Sequence, residues 1–370
     1  MFSFLIFLLF IYLLRTIFFA IGSVNQRKFK FSSNITLNYK FISVIIPARN
    51  EEQNIVSCIS SISNNNYPNN MYEIIVVNDR STDRTGFLLN SLLDKIENLK
   101  IINIDDEIAE INLFGKTGAL QAAIDIAKGE IVLMTDADCI APEHWIYTTM
   151  CYFSKYDIGL LPSFIHVKGE KIFDKLQSLE WIYLNTMGSA GVGLGAHVGC
   201  FGNNLSFRKS DMDLIGGYRK IEFSVTEDLA LLNAMYKINK KVLYPVNCNN
   251  IIDTKPCLTL SEYFRQHQRW AKGGLSLGWK AFSFVFSSFC LWIAFILSII
   301  QGEFLFSILI IGFRAILDSL LLLPNLIILK KQNLIKWLMP SILFFMAIEL
   351  IVPFLLLKKD LLWKGQVIKK

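Results

Sequence analysis

Long apolar segments lie at both ends of the chain, and a mixture typical of a globular domain lies between them. A run of about 20 apolar residues is long enough to span a bilayer as a helix. Four such runs occur, and the first is broken only by Arg15: residues 2–21, 281–300, 304–329 and 337–357. The pattern predicts an N-terminal membrane helix over 1–22 and two or three C-terminal membrane segments within 281–357.

Ionisable residues and prolines occur inside the C-terminal segments. Arg314 and Asp318 lie four positions apart, a spacing at which they would pair on a helix and make their burial tolerable. Three residues interrupt the last segment: Pro340, Glu349 and Pro353. Three full spans would place the basic tail, residues 358–370, outside the cell, against the positive-inside rule. A re-entrant or interfacial position for one segment therefore stays open.

The middle of the chain alternates short apolar strands with helices. FISVIIP, EIIVVND, ENLKIINI and EIVLMTDAD predict strands, and GKTGALQAAIDIAKG predicts an alanine-rich helix that stops at Gly129. Apolar strands separated by helices indicate an α/β domain with a mostly parallel sheet covered on both faces. Ligands of such sheets bind at the carboxyl ends of the strands.

Composition and charge support a membrane location. Hydrophobic residues make up 53% of the chain, too many for an ordinary soluble domain. The net charge of +6 is mild and its lysines flank the apolar segments, which indicates a membrane surface and no nucleic-acid partner. The basic stretch 26–30 and seven cysteines without a CxxC pair favour a cytoplasmic middle domain. We expect an integral membrane protein, in a bacterial inner membrane.

Acidic residues follow several of the predicted strands. Asp136 and Asp138 come directly after the fourth strand, where two aspartates at i and i+2 point the same way once strand pairing ends. Paired carboxylates bind Mg²⁺ or Mn²⁺, and such a metal neutralises a diphosphate leaving group. A DxD alone is weak evidence because surface aspartate pairs are common, but its place after an apolar strand strengthens it.

Other acidic residues have both a structural and a chemical interpretation. Asp79 ends the second strand, where it would either accept hydrogen bonds from a ligand or cap a turn. Asp83, four residues later, is predicted to be a cap. Asp228 opens a helical segment together with Glu227. It would either complement the helix dipole or act as a general base toward an acceptor hydroxyl.

The segment LSEYFRQHQRWAKGG precedes the first C-terminal apolar run. Residues 259–280 are predicted to be an amphipathic interfacial helix anchored by Tyr263 and Trp270. Gln266, Arg269 and Trp270 lie within about one turn of this helix. In a functional interpretation, compatible with the first, Arg269 binds a diphosphate by paired hydrogen bonds and Trp270 forms an apolar wall for the acceptor.

In this order, SVIIPARNEE, VVNDRSTD, GKTGALQAAI, TDAD, TED and QxxRW resemble the motifs of family 2 glycosyltransferases of the GT-A fold. The last two resemble the branch that includes cellulose synthase, hyaluronan synthase and ceramide glucosyltransferase. LLWKGQ resembles a WxGR-type tail of lipid-directed members, with Gln366 where arginine is usual. The resemblance implies a GT-A nucleotide-diphospho-sugar transferase fold over residues 41–258, with membrane helices on both sides.

The resemblance also implies an inverting transfer from a UDP- or GDP-sugar, with roles for particular residues. Nucleotide contacts fall on Pro47, Arg49, Glu51 and Asp79, with Lys116 nearby. Metal and diphosphate contacts fall on Asp136 and Asp138, of which Asp138 is the better ligand candidate. Asp228 would be the base, beside Glu227. Gln266, Arg269 and Trp270 would close over the diphosphate and the acceptor. Gly202, Asn203 and Asn204 would belong to an acceptor-side loop, although this segment is equally compatible with a simple glycine-rich turn followed by a strand.

The acceptor is predicted from the membrane segments. A polymerising synthase needs a channel for its chain, and three C-terminal segments are few for that purpose. We therefore expect one sugar to be added to a lipid. The alternatives are a processive polysaccharide synthase and, more distantly, an inactive membrane scaffold, against which the intact acidic motifs argue.

Overall fold

A computed structural model describes residues 2–31, 39–106, 112–357, 361–363 and 366–368. Its helices are α1 (Phe2–Arg27), α2 (Ile55–Ser63), α3 (Thr85–Leu93), α4 (Lys116–Ile126), α5 (Trp145–Lys155), α6 (Ile172–Gly193), α7 (Lys209–Leu214), α8 (Glu227–Lys237), α9 (Leu260–Gly274), α10 (Trp279–Ile300), α11 (Phe304–Ile328) and α12 (Leu338–Leu355). Its strands are β1 (Ile42–Ala48), β2 (Tyr72–Asp79), β3 (Leu99–Ile104), β4 (Ile131–Met134), β5 (Leu160–Pro162), β6 (Ile165–Val167), β7 (Leu205–Arg208), β8 (Ile252–Thr254), β9 (Leu361–Trp363) and β10 (Gln366–Ile368).

The chain divides into two compact units. The sheet unit consists of Phe29–Lys168 and Cys200–Lys255. The membrane unit consists of Met1–Lys28, Gly169–Gly199 and Pro256–Lys370. The predicted domain 41–258 therefore contains a segment, 169–199, that groups with the membrane helices, because α6 packs along α1.

A six-stranded sheet forms the centre of the sheet unit, in the order β3-β2-β1-β4-β7-β5. The four strands predicted from the sequence are β1 to β4, and they pair in parallel. The side chains of β1, β2 and β4 are buried on both faces, with Val44 and Ile46 packing toward α2, α3 and α5, whereas β3 at the sheet edge is mostly half-buried. Ser43, one position along β1, faces the opposite side and accepts a hydrogen bond from Gly129 just after α4. The predicted α/β fold with a mostly parallel sheet is confirmed.

Strand direction decides which segments meet at the carboxyl edge of this sheet. β7 runs antiparallel to β4, with Met134 opposite Leu205. The turn Gly202–Asn204, which precedes β7, therefore lies at the same edge as the carboxyl ends of β1, β2 and β4. β7 is the strand that the alternative interpretation of the glycine-rich segment expected after its turn. β5 was not predicted, because a strand of three residues carries too little periodicity to be recognised.

Four helices of the membrane unit are long and apolar enough to cross a bilayer: Phe2–Arg27, Phe282–Ile300, Phe304–Ile328 and Gln332–Leu355. α1 continues five residues beyond the predicted end at 22. The residues that interrupt the last apolar run do not break its helix, since α12 is continuous from Leu338 to Leu355. Pro340 is the third residue of α12. Backbone N–H groups in the first turn of a helix make no hydrogen bond within the helix, so a proline there removes none. The tail residues 358–360, 364–365 and 369–370 lie outside the described part of the chain.

The predicted pair of Arg314 and Asp318 is confirmed, at 3.2 Å from Nε to Oδ2, and it belongs to a larger network. Arg314 also donates to both carboxylate oxygens of Glu349 on α12, at 2.6 and 2.9 Å. Tyr12 of α1 donates to Asp318 at 2.8 Å, and Arg15 lies 3.7 Å from the same carboxylate. Two arginines and two acidic residues thus balance in charge among α1, α11 and α12.

A buried carboxylate ties the amino-terminal edge of the sheet together. Glu73 of β2 accepts hydrogen bonds from Ser43 at 2.6 Å, from Lys100 at 2.5 Å and from the Lys128 backbone at 2.7 Å. Burial alone would raise the pKa of Glu73, but these hydrogen bonds lower it below its ordinary value. The ionised form is therefore favoured by folding.

This contact predicts an acid-sensitive contribution to stability. Glu73→Gln should lower the free energy of unfolding by roughly 2 kcal/mol at neutral pH, because hydrogen bonds to an ionised carboxylate are lost. The folded-state pKa lies below the unfolded one, so the contribution is present above the unfolded pKa and disappears as pH falls through the folded pKa. Thermal denaturation across pH should show the gap between wild type and variant closing below about pH 4. A gap independent of pH would contradict this account.

Candidate active site

Lys116 links two carboxylates that are far apart in the sequence. It is the first residue of α4 and follows Gly115, whose positive φ of 63° favours glycine. Its Nζ lies 2.7 Å from Asp136 Oδ1 and 2.7 Å from Glu227 Oε1. Burial alone would lower the pKa of Lys116, but the two carboxylates raise it above its ordinary value. Lys116 is therefore a fixed cation between the loop after β4 and the start of α8.

Asp228 lies next to this cluster, as the second residue of α8. Its Oδ2 accepts a hydrogen bond from the Gly202 backbone at 2.8 Å, and its Oδ1 accepts one from the Leu229 backbone at 2.7 Å. A Cβ added to Gly202 would lie 3.2 Å from Glu227 Oε1 and 3.5 Å from Lys116 Nζ. The structure thus brings together four predicted site segments, containing Lys116, Asp136, Gly202 and the Glu227–Asp228 pair.

Asp79 ends β2 and is buried between two arginines. Arg80 donates to both of its oxygens, at 2.7 and 3.2 Å, and Arg49 Nη1 lies 3.9 Å from Oδ2. Arg80 itself adopts a positive φ of 51°. Arg80 was not among the site residues predicted from the sequence. Its position directly after Asp79 was the sequence feature that could have indicated it.

The loops after β1 and β2 are joined by side-chain hydrogen bonds. Asp83 accepts from the Thr85 backbone at 2.9 Å and from the Glu52 backbone at 3.1 Å, which confirms the prediction that it caps this turn. The Glu51 backbone donates to Thr85 Oγ1 at 2.7 Å, and its carboxylate accepts from Asn54 at 2.6 Å. Glu51 and Asp79 are thereby held in loops that follow neighbouring strands, and Pro47 lies in β1 beside them.

The two asparagines of the Gly202–Asn204 turn differ in what their side chains offer. Asn204 accepts from Trp145 at 3.0 Å and donates to the Phe164 and Asn250 carbonyls, each at 2.8 Å. Its amide is thus occupied in packing the protein interior. Asn203 is buried, and its Oδ1 has no hydrogen-bond partner among the residues that the structure describes. Asn203 is therefore the better placed of the two to receive a ligand donor.

The residues after β4 fit a divalent metal held jointly with a substrate. Burial raises the pKa of the Cys58 thiol, and the negative charges of Asp138 and Asp136 raise it further. Within the described ranges no group of three or more His, Cys, Asp or Glu side chains is arranged to hold a metal. Mg²⁺ and similar ions are commonly bound by one or two carboxylates, with phosphates and water completing the shell. Asp136 and Asp138 match that donor set.

The QxxRW residues belong to the membrane unit, on α9. Thr259 and Glu262 form a capping box that starts this helix. Trp270 packs edge-on against Trp181 of α6, with ring centroids 5.1 Å apart. Gln266 Oε1 lies 3.7 Å from Cys257 Sγ, and Arg269 is half-buried. The predicted closure of these residues over a diphosphate stays a prediction.

Comparison with known proteins identifies the family. Residues 43–215 match Glycosyl transferase family 2, and residues 131–356 match Glycosyl transferase family group 2. The second match covers more than half of the chain, from β4 to α12. The chain belongs to the family 2 glycosyltransferases. The branch containing cellulose synthase and ceramide glucosyltransferase is not distinguished by these matches.

Individual relatives of this family 2 chain are named as glycosyltransferases or glycolipid synthases. A beta-monoglucosyldiacylglycerol synthase of Nostoc sp. is 26% identical over 263 residues, which cover 69% of this chain and 53% of the relative. A probable glycosyltransferase of Bacillus subtilis is 26% identical over 237 residues, 63% of this chain and 54% of the relative. The chain thus spans about half the length of these curated relatives.

A solved structure supports the fold. The mannosyltransferase of Pyrobaculum calidifontis, determined in complex with GDP-mannose and Mn²⁺, superposes with a TM-score of 0.60. The match covers 93% of this chain and 98% of that chain, at 16% identity. It confirms the GT-A-like fold of this family 2 chain.

Proposed function

We propose that this chain is an inverting, metal-dependent hexosyltransferase. It transfers a sugar from a UDP- or GDP-sugar to a hydroxyl group of a membrane lipid. The observation that carries the proposal is the junction of Lys116 with Asp136 and Glu227, at 2.7 Å each, beside Asp228. Together with Gly202, which donates to Asp228, it gathers four distant sequence segments at the carboxyl edge of the sheet, where ligands of such folds bind.

The proposed chemistry is a single displacement. Asp228 removes the proton from the acceptor hydroxyl, and the oxygen forms a bond to the anomeric carbon of the donor sugar. The bond from that carbon to the diphosphate oxygen breaks on the opposite face, so the configuration inverts. The Gly202 N–H, 2.8 Å from Asp228 Oδ2, keeps the carboxylate oriented for this role.

Lys116 and the loop carboxylates serve the leaving group. A bound Mg²⁺ or Mn²⁺ would neutralise negative charge on the diphosphate as it departs. Asp138 and Asp136 would hold the ion, and Lys116 would add a fixed positive charge. Arg269 would bind the diphosphate by paired hydrogen bonds and Trp270 would border the acceptor. Asp79, Glu51, Arg49 and Pro47 would contact the nucleotide.

A lipid acceptor is favoured by the membrane helices and by relatives. Four helices are long and apolar enough to cross a bilayer, so the acceptor can be presented from the membrane itself. Three relatives are named beta-monoglucosyldiacylglycerol synthases. The basic stretch at 26–30 and the absence of any CxxC pair favour a sheet unit on the cytoplasmic side, as in a bacterial inner membrane.

Transfer of labelled sugar by the purified full chain tests the proposal. The protein would be placed in nanodiscs containing diacylglycerol and supplied with Mn²⁺ and radiolabelled UDP-glucose, UDP-N-acetylglucosamine or GDP-mannose. We expect one of these donors to label a lipid that carries a single sugar, and chelation by EDTA to stop the reaction. A ladder of products would favour a processive synthase instead. No transfer and no donor hydrolysis with any donor would overturn the proposal.

A further inference from the structure

Within the membrane unit, one face of α6 contacts Cys257, which precedes α9, and three residues of α9, namely Tyr263, His267 and Trp270. Gln177, Glu180 and Trp181 lie at positions i, i+3 and i+4, which places them side by side on a helix. All three side chains are buried. Gln177 contacts Cys257, Glu180 contacts Tyr263 and His267, and Trp181 contacts Trp270.

Gln177 fixes the chain just before α9. Its Oε1 accepts a hydrogen bond from the Cys257 backbone at 2.9 Å, and its Nε2 donates to the Cys257 carbonyl at 3.1 Å. This two-way amide contact holds Cys257, whose thiol lies 3.7 Å from Gln266 Oε1. Gln177 thus contacts Cys257, which in turn contacts Gln266, the first residue of the motif.

Glu180 binds two residues of α9 at once. Tyr263 Oη donates to its two carboxylate oxygens, at 2.7 Å each, and His267 Nε2 lies 2.9 Å from Oε1. Burial alone would lower the pKa of His267, but Glu180 raises it above its ordinary value. The carboxylate of Glu180 thus holds a tyrosine and a histidine of α9 in one buried hydrogen-bonded cluster, whose geometry is strongly specified.

Trp181 completes the contact surface. Its ring meets Trp270 edge-on at 5.1 Å, and the His267 ring lies 4.9 Å from the same Trp270 ring. Trp270 therefore contacts both a residue of α6 and a residue that Glu180 itself binds.

α6 is in turn fixed to the membrane helices. Tyr183 accepts a hydrogen bond from Arg15 at 3.1 Å, and Thr186 accepts one from Asn325 at 2.9 Å. Gly22 of α1 and Gly193 of α6 are packed so closely that a Cβ on Gly193 would lie 2.0 Å from the Gly22 carbonyl oxygen. The helix therefore provides a rigid base for α9.

We infer that Gln177, Glu180 and Trp181 are positioning residues for the QxxRW motif, with Glu180 the central one. They act on the reaction through Gln266, Arg269 and Trp270. The effect on the reaction rests on the proposed function, whereas the positioning of α9 rests on the contacts described above. A family motif that closes over substrate needs a rigid support, since small displacements of catalytic groups cost large factors in rate.

Glu180→Gln in the full chain tests this role, with Glu73→Gln as the matched control. Both variants neutralise a buried glutamate, and Glu73 belongs to the sheet unit. The main readout is the ratio of sugar transfer to donor hydrolysis in diacylglycerol nanodiscs, using the donor that wild type transfers. Partial unfolding lowers both rates equally and leaves this ratio unchanged, whereas displacement of Trp270 from the acceptor lowers transfer selectively.

We expect Glu180→Gln to lower transfer about 100-fold and the transfer-to-hydrolysis ratio about 10-fold. The control should keep the wild-type ratio within about 2-fold. Hydrogen exchange at residues 260–274 should accelerate in Glu180→Gln and not in the control, and this readout does not depend on activity. An unchanged ratio together with unchanged exchange would overturn the inference. If wild type shows neither transfer nor hydrolysis, the proposed function fails, and the exchange measurement alone still decides whether Glu180 positions α9.

Discussion

Asp228→Asn should lower sugar transfer by about 1,000-fold or more, which lies within the range for loss of a general base. Asparagine keeps the shape of the side chain, and its amide oxygen can still accept the hydrogen bond from the Gly202 backbone. It cannot take a proton from the acceptor hydroxyl. We expect nucleotide affinity to change by less than roughly 3-fold, because base and ribose contacts are assigned to other loops.

Initial rates with labelled donor and calorimetric titration of UDP or GDP would measure the two effects. Asp213→Asn is a suitable control, since Asp213 is exposed on α7 and pairs only weakly, at 3.2 Å, with Lys209 four residues away. A folded Asp228→Asn protein that retains more than about a tenth of wild-type transfer would remove this residue from the role of base.

Arg314→Met should destabilise the membrane unit by about 3–5 kcal/mol. The change removes the partner of both Asp318 and Glu349, which Arg314 contacts at 3.2, 2.6 and 2.9 Å. Methionine replaces the volume but leaves two acidic side chains, Asp318 and Glu349, with Arg15 as the remaining arginine of this network. Thermal denaturation in nanodiscs should show a clear fall in the melting temperature.

The double variant Arg314→Met with Glu349→Gln is the matched test of cause. It removes one negative charge together with the positive one, so it should be more stable than the single variant. A single variant that melts like wild type would show that the arginine is dispensable. A double variant that is less stable than the single one would show that lost packing, rather than an uncompensated charge, explains the effect.

The sheet and the motif order were predictable because they depend on local patterns. The buried strands β1 to β4 are runs of apolar residues that end in acidic or proline-containing turns, and the helices between them have ordinary lengths. The pairing of Arg314 with Asp318 was predictable from their spacing alone. Asp83 was likewise predictable as a cap from the residues around it.

Long-range contacts could not be predicted from the same patterns. The bridge from Lys116 to Asp136 and Glu227 depends on where α4, β4 and α8 come together in the fold. Glu349 looks like a helix interruption in sequence, but it is a partner of Arg314, 35 positions away. Glu180 stands in an unremarkable helical segment, and only the packing of α6 on α9 reveals its contact with His267.

Binding of Mn²⁺ to the full chain, followed by electron paramagnetic resonance with and without UDP or GDP, tests the central claim most directly. If Asp136 and Asp138 hold a divalent ion together with a diphosphate, wild type should bind Mn²⁺ in a nucleotide-dependent way. Asp138→Asn should lose that signal and Asp213→Asn should keep it. Equal binding by wild type and Asp138→Asn, or none by wild type with either nucleotide, would contradict the account.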